Sequence, residues 1–234
     1  MKLLGHVKYI RRYPVKSMKG EDLEQARIES SGIEGDRTYA FIDVNSKNKT
    51  FPWMTARQAH EMLLYTPSFT ESGTIQVKCP DGRLFSLTDV EFKDYLERNY
   101  GYKLSLRYDR QSHCFDSKPI SLIGLDTVRS LSKETLLDLD HRRFRANLYV
   151  EFEERTPFYE DSLVGSTLQI GENARIKVVK KDSRCVIPTL DPLTSKSSPI
   201  VLETIQKKHN GCAGIYSLVE QEGIVRQGCR VSLV

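Results

Sequence analysis

The sequence predicts a mainly β, α+β fold in which a β-barrel is joined to a smaller β-rich N-terminal domain and a few peripheral helices. Two observations predict this class. Short alternating runs of apolar and polar residues, bounded by Gly, Pro, Asn and Asp, recur along most of the chain. Helical periodicity occurs in only three separate segments, so the regular strand–helix alternation of a doubly wound parallel sheet is missing.

The N-terminal third is predicted to consist of strands joined by turns. The segment HVKYIRRYPVK alternates apolar and polar residues and stops at Pro14. The segment QARIESSGIEGDRTYAFIDVNSKNKTF predicts a strand, a glycine turn, a second strand and a polar turn. In TIQVKCPDGRLFSL, the turn PDG at residues 80–82 separates two strands and predicts a hairpin.

Three segments are predicted to be helical. Thr88 and Glu91 have the spacing of a capping box before the apolar residues of TDVEFKDYLERNYG, and Gly101 marks the end of that helix. The segment SLIGLDTVRSLSKETLLDLD predicts one helix, or two short helices that break near Ser132. The segment SSPIVLETIQKKHNG predicts the third, with Ser198 as its cap residue.

The C-terminal half returns to strands, in RANLYVEF, TLQIGENARIKVV and AGIYSLVEQEGIVRQGCRVSLV. The polar segment RQSHCFDSKP, which begins at Arg110, separates the two halves of the chain. Residues 1–112 and 113–234 are therefore predicted to be two domains.

Composition and charge exclude several classes of protein. The chain has 35 Lys and Arg against 31 Asp and Glu, and these charges are interspersed, so there is no basic arm for nucleic acid. No apolar run approaches the roughly 20 residues of a membrane helix, and the N-terminus lacks the long apolar core of a signal peptide. We therefore expect a cytoplasmic protein whose small basic excess is either solvated surface or a site for one small anion.

Several common chemical motifs are missing from the sequence. There is no G-x-G-x-x-G, P-loop or nucleophile elbow. His60 and Glu61 begin a zinc-helix pattern, but residue 64 is Leu where the second histidine would be needed. The five cysteines include no C-x-x-C pair, which predicts free thiols.

Residue patterns alone leave two questions about a site open. Cys185 follows the apolar run IKVV, and it is either a buried structural thiol or a reactive thiolate favoured by the adjacent Arg184. Arg145 and Asn147 alternate along a predicted strand, so both would face one side of it. That side is either exposed to solvent or turned towards a ligand.

Several motifs, taken in order, resemble those of one known family. YPVKSMKG, GIEGDRTYAFID and TARQAHEMLLYTP resemble the N-terminal β-barrel domain that precedes MOSC domains. FRANLYVE, FYEDSLVGSTLQIG, RCVIPTLDP and GCAGIYSLVEQEGIVRQGCRV resemble the MOSC domain itself, the C-terminal domain type of molybdenum cofactor sulfurases. In architecture the chain is similar to the mitochondrial amidoxime reducing components and their bacterial counterparts. The order of the motifs is specific, although each motif alone is weak.

The resemblance implies a molybdopterin-type cofactor, in which pterin sulfurs and one protein thiolate hold molybdenum. The matching cysteine is Cys185, because a soft anionic sulfur suits this metal. Asp191 in the same loop is assigned as a catalytic residue that orients the loop or acts near the metal. The groups expected to bind the cofactor and its phosphate are Lys16, Ser17, Arg37, Thr55, Arg57, Arg145, Asn147 and Arg184. The family is also associated with pyridoxal phosphate binding.

The resemblance further implies an oxidoreductase that reduces small N-hydroxylated compounds with electrons from a separate donor protein, and with no nucleic-acid or membrane partner. Sulfur transfer through a Cys185 persulfide and a non-catalytic cofactor carrier are the alternatives. Two residues depart from the family pattern. Pro188 stands where relatives often carry Thr, and Cys229 stands where an Asp is expected. We therefore expect the surroundings of Cys185 to differ from those in relatives.

Overall fold

A computed structural model describes residues 1–110 and 114–234 of the chain. Its strands in these ranges are β1 (Lys2–Arg12), β2 (Glu21–Leu23), β3 (Gln25–Glu29), β4 (Gly32–Ile33), β5 (Tyr39–Asp43), β6 (Thr66–Phe69), β7 (Ile75–Lys78), β8 (Leu84–Ser86), β9 (Leu104–Tyr108), β10 (Ile120–Gly124), β11 (Leu148–Phe152), β12 (Thr167–Ile170), β13 (Ala174–Ser183), β14 (Cys212–Gln221), β15 (Gly223–Arg226) and β16 (Arg230–Leu233). Its α-helices are α1 (Val90–Tyr100), α2 (Leu125–Thr135) and α3 (Ile200–Lys208), and short 3₁₀ helices cover His60–Leu64, His141–Phe144, Tyr159–Leu163 and Ile187–Thr189.

Seven of the described strands close into a barrel. Their order is β11-β10-β14-β13-β12-β16-β1, and β1 pairs again with β11 to complete the circle. The side chains of β1 that point into the barrel core are three residues apart, at Leu4, Val7 and Ile10. In a regular strand every second side chain would point inwards, but register shifts in the pairing of β1 interrupt that alternation. The barrel and the small number of helices confirm the predicted mainly β, α+β class.

Gly5 lies where β1 and β11 approach most closely. A Cβ atom at this position would be 2.3 Å from the carbonyl oxygen of Glu151 and 2.7 Å from the Cα of Phe152. Such distances are far below van der Waals contact, so the barrel can close here only around a residue without a side chain.

The rest of the N-terminal half packs around a second apolar core. Strands β5 and β9 pair with each other, and β6, β7 and β8 form a small antiparallel sheet. The helix α1 buries Phe92 and Leu96 against Phe41 and Val77 of these sheets. The hairpin predicted around residues 80–82 is confirmed as β7 and β8.

Three predictions about the helices are wrong in detail. The residue that directly precedes α3 is Pro199, and not the predicted Ser198. Asp89, and not Thr88, directly precedes α1, and its carboxylate accepts the backbone N–H of Ser86 instead of capping the helix. The segment SLIG forms β10, and α2 runs through Ser132 without a break. The predicted end of α1 at Gly101 is confirmed, since Gly101 has a left-handed backbone. Within the described ranges, no helix is long and apolar enough to cross a membrane.

The N-terminal part of the chain contributes directly to the barrel. Strand β1 is one of its seven strands, and Ile28 and Ile33 pack into the same core as Leu122, Val150 and other residues of the C-terminal half. The predicted domain boundary between residues 112 and 113 falls outside the described residues.

Candidate functional site

A cleft lined by both halves of the chain contains most of the predicted site residues. Its volume is about 300 Å³. The predicted residues that line it are Lys16, Ser17, Arg37, Arg57, Arg145, Asn147, Arg184 and Cys185. Thr55 and Asp191 are not part of its described lining. We refer to this cleft as the cationic pocket.

Positive charge dominates the lining of the cationic pocket. Lys118 and Lys180 add to the five predicted cations, whereas the carboxylates in the described lining are Asp116 and Asp182. A surplus of guanidinium and ammonium groups in one cleft is suited to an anionic ligand such as a phosphate group.

Three lining residues have a left-handed backbone, which is unfavourable for residues other than glycine. The φ angle is 66° at Ser17, 50° at Arg37 and 50° at Arg145. Each costs roughly 1–2 kcal/mol and persists only where the surrounding structure enforces it. At Arg37 the backbone N–H is fixed by a 2.6 Å hydrogen bond to the carbonyl oxygen of Tyr13. Backbone strain of this kind clusters at binding sites, which supports a functional role for the pocket.

Tyr13 holds two of the arginines in place. The guanidinium carbons of Arg37 and Arg145 lie 4.5 Å and 4.3 Å from the centre of its ring. The Tyr13 hydroxyl donates to the carbonyl oxygen of Ala146 at 3.1 Å, and Arg37 Nη2 donates to the carbonyl oxygen of Arg145 at 2.9 Å. Attraction to the aromatic face therefore offsets part of the repulsion between the two cations.

Arg145 has a buried charge and no carboxylate partner among the described residues. Its Nη1 donates to the carbonyl oxygen of Met18 at 2.7 Å, whereas its Nη2 is buried without a hydrogen-bond partner. Burial is the main reason why the pKa of Arg145 is lowered to about 10, with Arg37 adding to this effect and Tyr13 opposing it. A buried cation is costly unless a counter-charge compensates it, so this group favours an anionic ligand.

Asp116 is absent from the predicted set, yet it links two predicted cations. Its Oδ1 accepts from Lys16 Nζ and its Oδ2 accepts from Arg57 Nη2. Burial alone would raise the pKa of Asp116, but the charges of Lys16 and Arg57 lower it to about 2. Burial lowers the pKa of Lys16, although Asp116 opposes this. The carboxylate therefore fixes these two cations at one wall of the pocket.

Cys185 lies just beyond β13, half-buried in the pocket lining. The cation that interacts with its sulfur is Arg57. Burial lowers the pKa of Arg57, but the interactions with Asp116 and Cys185 outweigh burial and raise that pKa above its ordinary value. The adjacent Arg184 instead donates from Nε to the carbonyl oxygen of Ala213 at 2.7 Å. Arg184 thus anchors the loop that carries Cys185, and Arg57 supplies positive charge at the thiol.

Asn147 lines the pocket but uses its amide group to join two barrel strands. Its Oδ1 accepts the backbone N–H of Ser121 at 3.2 Å, and its Nδ2 donates to the carbonyl oxygen of Arg11 at 3.2 Å. Arg145 and Asn147 precede β11, which begins at Leu148, so they do not alternate along a strand as predicted. The turn before the strand, with its left-handed Arg145, turns both residues towards the pocket.

Thr55 and Asp191 support the site from outside the described lining. The backbone N–H of Arg57 donates to Thr55 Oγ1 at 3.2 Å, which fixes the turn that carries Arg57. Asp191 Oδ2 accepts from Arg143 Nη2 at 2.9 Å, and its Oδ1 accepts backbone N–H groups of its own loop. These contacts give Asp191 the role of holding the loop after Cys185.

The pocket residues Ser121, Asp182 and Tyr216, which form a polar network with the predicted Arg184, are absent from the predicted set. Asp182 Oδ2 lies 3.3 Å from Ser121 Oγ and 3.0 Å from Arg184 Nη1. Burial raises the pKa of Asp182, which Arg184 and Tyr216 oppose, and burial also raises the pKa of Tyr216. Only the pairing of β10, β13 and β14 brings these residues together, so no local motif could have identified them.

The donor groups of the pocket fit a ligand that has both a phosphate group and a metal that binds a thiolate. The Nη2 atoms of Arg145 and Arg184 are buried without partners, and an anion that accepts hydrogen bonds would satisfy such donors. Cys185 supplies a thiol in the same lining. In the described ranges, no three His, Cys, Asp or Glu side chains lie together as a metal cluster.

The two residues that depart from the family pattern lie in different places. Pro188 is buried and lines the pocket, where it offers neither a hydroxyl nor a backbone N–H. Cys229 lies between β15 and β16 and packs against the barrel core. The departure at residue 188 therefore bears on the site, whereas the one at residue 229 bears on packing.

Comparisons with known proteins identify relatives of both halves. The MOSC domain family matches residues 109–232, and the MOSC N-terminal beta barrel domain matches residues 4–107. The chain is 24% identical over 231 residues to a molybdenum cofactor sulfurase of Caenorhabditis elegans. That similarity covers 87% of this chain but only 32% of the relative, so the chain spans about a third of the relative's length.

Two solved structures are similar over the whole chain. The YUAD protein from Bacillus subtilis has a TM-score of 0.56 and 13% identity, with coverage of 100% of this chain and 97% of that protein. A protein described only as hypothetical has a TM-score of 0.50 and 12% identity, with coverage of 100% and 68%. At these identities the likeness bears on the fold alone.

Proposed function

The chain belongs to the MOSC domain family, and on that premise we propose that it binds a molybdenum cofactor and reduces small N-hydroxylated compounds with electrons from a separate donor protein. The observation that carries this proposal is the combination of one thiol with a surplus of cations in the cationic pocket. The sulfurase relative is named for the same cofactor, which is consistent with it.

The residues of the pocket divide into two groups by their chemistry. Lys16, Arg37 and Arg145 would hold the phosphate of the cofactor, and Ser17 would add a hydroxyl. Cys185 would be the protein ligand to molybdenum. When bound, the cofactor would supply a metal that changes oxidation state and accepts an oxygen atom from the substrate.

The remaining polar residues would prepare the pocket for that chemistry. Arg57 would place its positive charge at the Cys185 sulfur, and Asp116 would keep Arg57 and Lys16 correctly oriented. Arg184, held by Asp182, would fix the backbone of the loop that carries the thiol. The protein's contribution is thus to bind, orient and tune the cofactor.

Metal analysis and pterin fluorescence after expression in a host that makes the cofactor test the proposal. The wild type is expected to contain both molybdenum and pterin, and to reduce an N-hydroxylated amidine with an artificial electron donor. Cys185→Ser is expected to fold but to lose molybdenum and turnover. Cys212→Ser is the matched control, because Cys212 is also a free thiol but is not in the described pocket lining.

A folded wild type with neither molybdenum nor pterin would contradict the proposal. Unchanged turnover in Cys185→Ser would contradict the assignment of the metal ligand. Bound cofactor with no turnover on any N-hydroxylated compound would instead identify a cofactor carrier.

Sulfur transfer is the second candidate function, and the similarity to a sulfurase favours it. Cys185 would carry a persulfide that Arg57 stabilises as an anion. Mass spectrometry of the wild type would then find one additional sulfur atom on Cys185 in protein that contains no molybdenum. The absence of that adduct in freshly prepared protein would exclude this candidate.

A further inference from the structure

Two segments that contribute to the lining of the cationic pocket are tied together by arginines that cross between them. One is residues 143–145, at the end of the 3₁₀ helix His141–Phe144, and it carries a cation assigned to the phosphate. The other is residues 184–191, which carry the thiol and include the 3₁₀ helix Ile187–Thr189. We refer to them as the phosphate turn and the thiol loop.

The side chain of Arg143 reaches from the phosphate turn to the thiol loop. Its Nη1 donates to the carbonyl oxygen of Thr189 at 2.9 Å, and its Nη2 donates to Oδ2 of Asp191 at 2.9 Å. Thr189 Oγ1 donates to the carbonyl oxygen of Val186 at 2.7 Å, and Val186 directly follows Cys185. The contact made by Arg143 therefore continues through the loop to the residue beside the thiol.

Arg184 crosses in the opposite direction, from the thiol loop to the phosphate turn. Its Nη1 donates to the carbonyl oxygen of Phe144 at 2.9 Å, and its guanidinium carbon lies 5.5 Å from the centre of the Phe144 ring. Phe144 directly precedes Arg145 in the chain. Each segment thus sends one guanidinium group to the other.

Both arginine side chains are shielded from solvent. The side chains of Arg143 and Arg184 are each 7% exposed, so water competes little for their hydrogen bonds. Hydrogen bonds from a guanidinium group are charge-assisted, and its planar fork fixes direction as well as distance. Arg143 is not in the described lining of the cationic pocket, so it would affect a ligand only through the residues that it holds.

We propose that Arg143 is a positioning residue, which together with Arg184 fixes the distance between the guanidinium group of Arg145 and the thiol of Cys185. The inference rests on the proposed function in one respect, namely that Arg145 binds the phosphate of a ligand. A ligand that engages both ends is then accepted only when its phosphate and its metal have the matching separation. Such preorganisation needs a rigid support behind the residues that touch the ligand.

Calorimetry with inorganic phosphate at constant ionic strength tests the phosphate end. Arg143→Lys keeps the positive charge but loses the planar fork, and it is expected to weaken the phosphate affinity about fivefold. Asp191→Asn is expected to weaken it about threefold, although the loss of a negative charge would by itself attract phosphate more strongly. In the double variant the loss is expected to stay at about fivefold, because the same contact is already broken.

Alkylation by iodoacetamide, mapped by mass spectrometry, tests the thiol end. Cys185 in Arg143→Lys is expected to react about fivefold faster than in the wild type, because its loop opens more often. Arg142→Lys is the matched control, since Arg142 lies on the same 3₁₀ helix but pairs with Asp140 at the start of that helix. The control should match the wild type in both measurements.

Weaker phosphate binding together with faster alkylation in Arg143→Lys supports the proposal. A change at one end only, or at neither, overturns it, and so does a loss of about fifteenfold in the double variant. If Arg143→Lys does not fold, Asp191→Asn decides the question, because unchanged or stronger phosphate binding in that variant also overturns the proposal. A wild type that binds no phosphate would contradict the proposed function as well, whereas the other negative results leave that function standing.

Discussion

Replacement of Arg145 by glutamine is expected to stabilise the protein in a buffer without small anions, although it weakens anion binding. Arg145 is half-buried with a buried Nη2 atom, has a left-handed backbone and lacks a carboxylate partner among the described residues. Such a residue costs folding free energy and is useful only when a ligand supplies the counter-charge. Stability and binding should therefore change in opposite directions.

The magnitude follows from the pKa of the group. The decrease of the Arg145 pKa from its ordinary value to about 10 corresponds to about 3 kcal/mol of unfavourable free energy for the charged form in the folded state. Because the folded pKa is below the unfolded value, this cost is complete below pH 10 and disappears only as the pH rises past the ordinary pKa of an arginine. Glutamine gives up the contact with Tyr13, about 1 kcal/mol, and part of the hydrogen bond to Met18, about 1 kcal/mol. The net gain is about 1 kcal/mol.

Urea unfolding at pH 7 in sodium gluconate measures this gain, and added inorganic phosphate should then stabilise the wild type more than Arg145→Gln. Arg142→Gln is the control, because Arg142 is paired with Asp140 and its loss should be neutral or slightly destabilising. A loss of about 1 kcal/mol or more in Arg145→Gln in gluconate would refute the reasoning, since the charge would then be compensated within the fold.

Three further predictions concern the pocket and the barrel. The ionised form of Asp116 stabilises the fold above its unfolded pKa of 3.8, and this stabilisation is lost as the pH falls through about 2. The unfolding free energy of Asp116→Asn should therefore fall less than that of the wild type over this pH range. Gly5→Ala should lower the unfolding free energy by about 3 kcal/mol or more in urea, because the new Cβ would lie 2.3 Å from the Glu151 oxygen. Thr55→Val should weaken phosphate binding in calorimetry, since the turn that carries Arg57 loses a hydrogen bond of about 1 kcal/mol.

Each of these variants has a matched control. Asp138→Asn removes an exposed carboxylate and should leave the acid profile unchanged. Gly82→Ala meets no atom within 4 Å and should cost only about 1 kcal/mol, from its left-handed backbone. Thr88→Val removes an exposed hydroxyl and should not affect phosphate binding. A variant that behaves like its control would contradict the corresponding contact.

Most strands and turns could be predicted because their signals are local. The hairpin at residues 80–82 and the end of α1 at Gly101 depend on neighbouring residues alone. The error at Ile120–Gly124 arose because a short apolar run has no period that separates a buried strand from a helix. Strand β10 is buried on both faces, between the barrel core and α2, and only the tertiary structure decides its form.

The residues of the pocket were predictable to the extent that residue type reveals chemistry. Phosphate recognition calls for Lys and Arg, so Lys16, Arg37 and Arg145 could be selected from the sequence. Adjacency in sequence suggested that Arg184 would act on Cys185, but the side chain of Arg184 points to backbone carbonyl groups. The cation that interacts with the thiol, Arg57, comes from a loop that is distant in sequence. No sequence motif could have predicted that the two groups lie close together.

Strand β1 has a consequence for how the molecule is assembled. It precedes the other barrel strands by more than 100 residues, and its two partners within the barrel, β11 and β16, are made late in synthesis. The apolar side chains of β1 stay exposed until these strands are made. Pairing between strands so far apart in sequence predicts slow folding, during which the exposed strand is prone to aggregate. A fragment cut between the two family-matched ranges would have two open strand edges, at β11 and at β16. We therefore expect the two family-matched ranges to fold as one unit, and neither to be stable when it is expressed without the other.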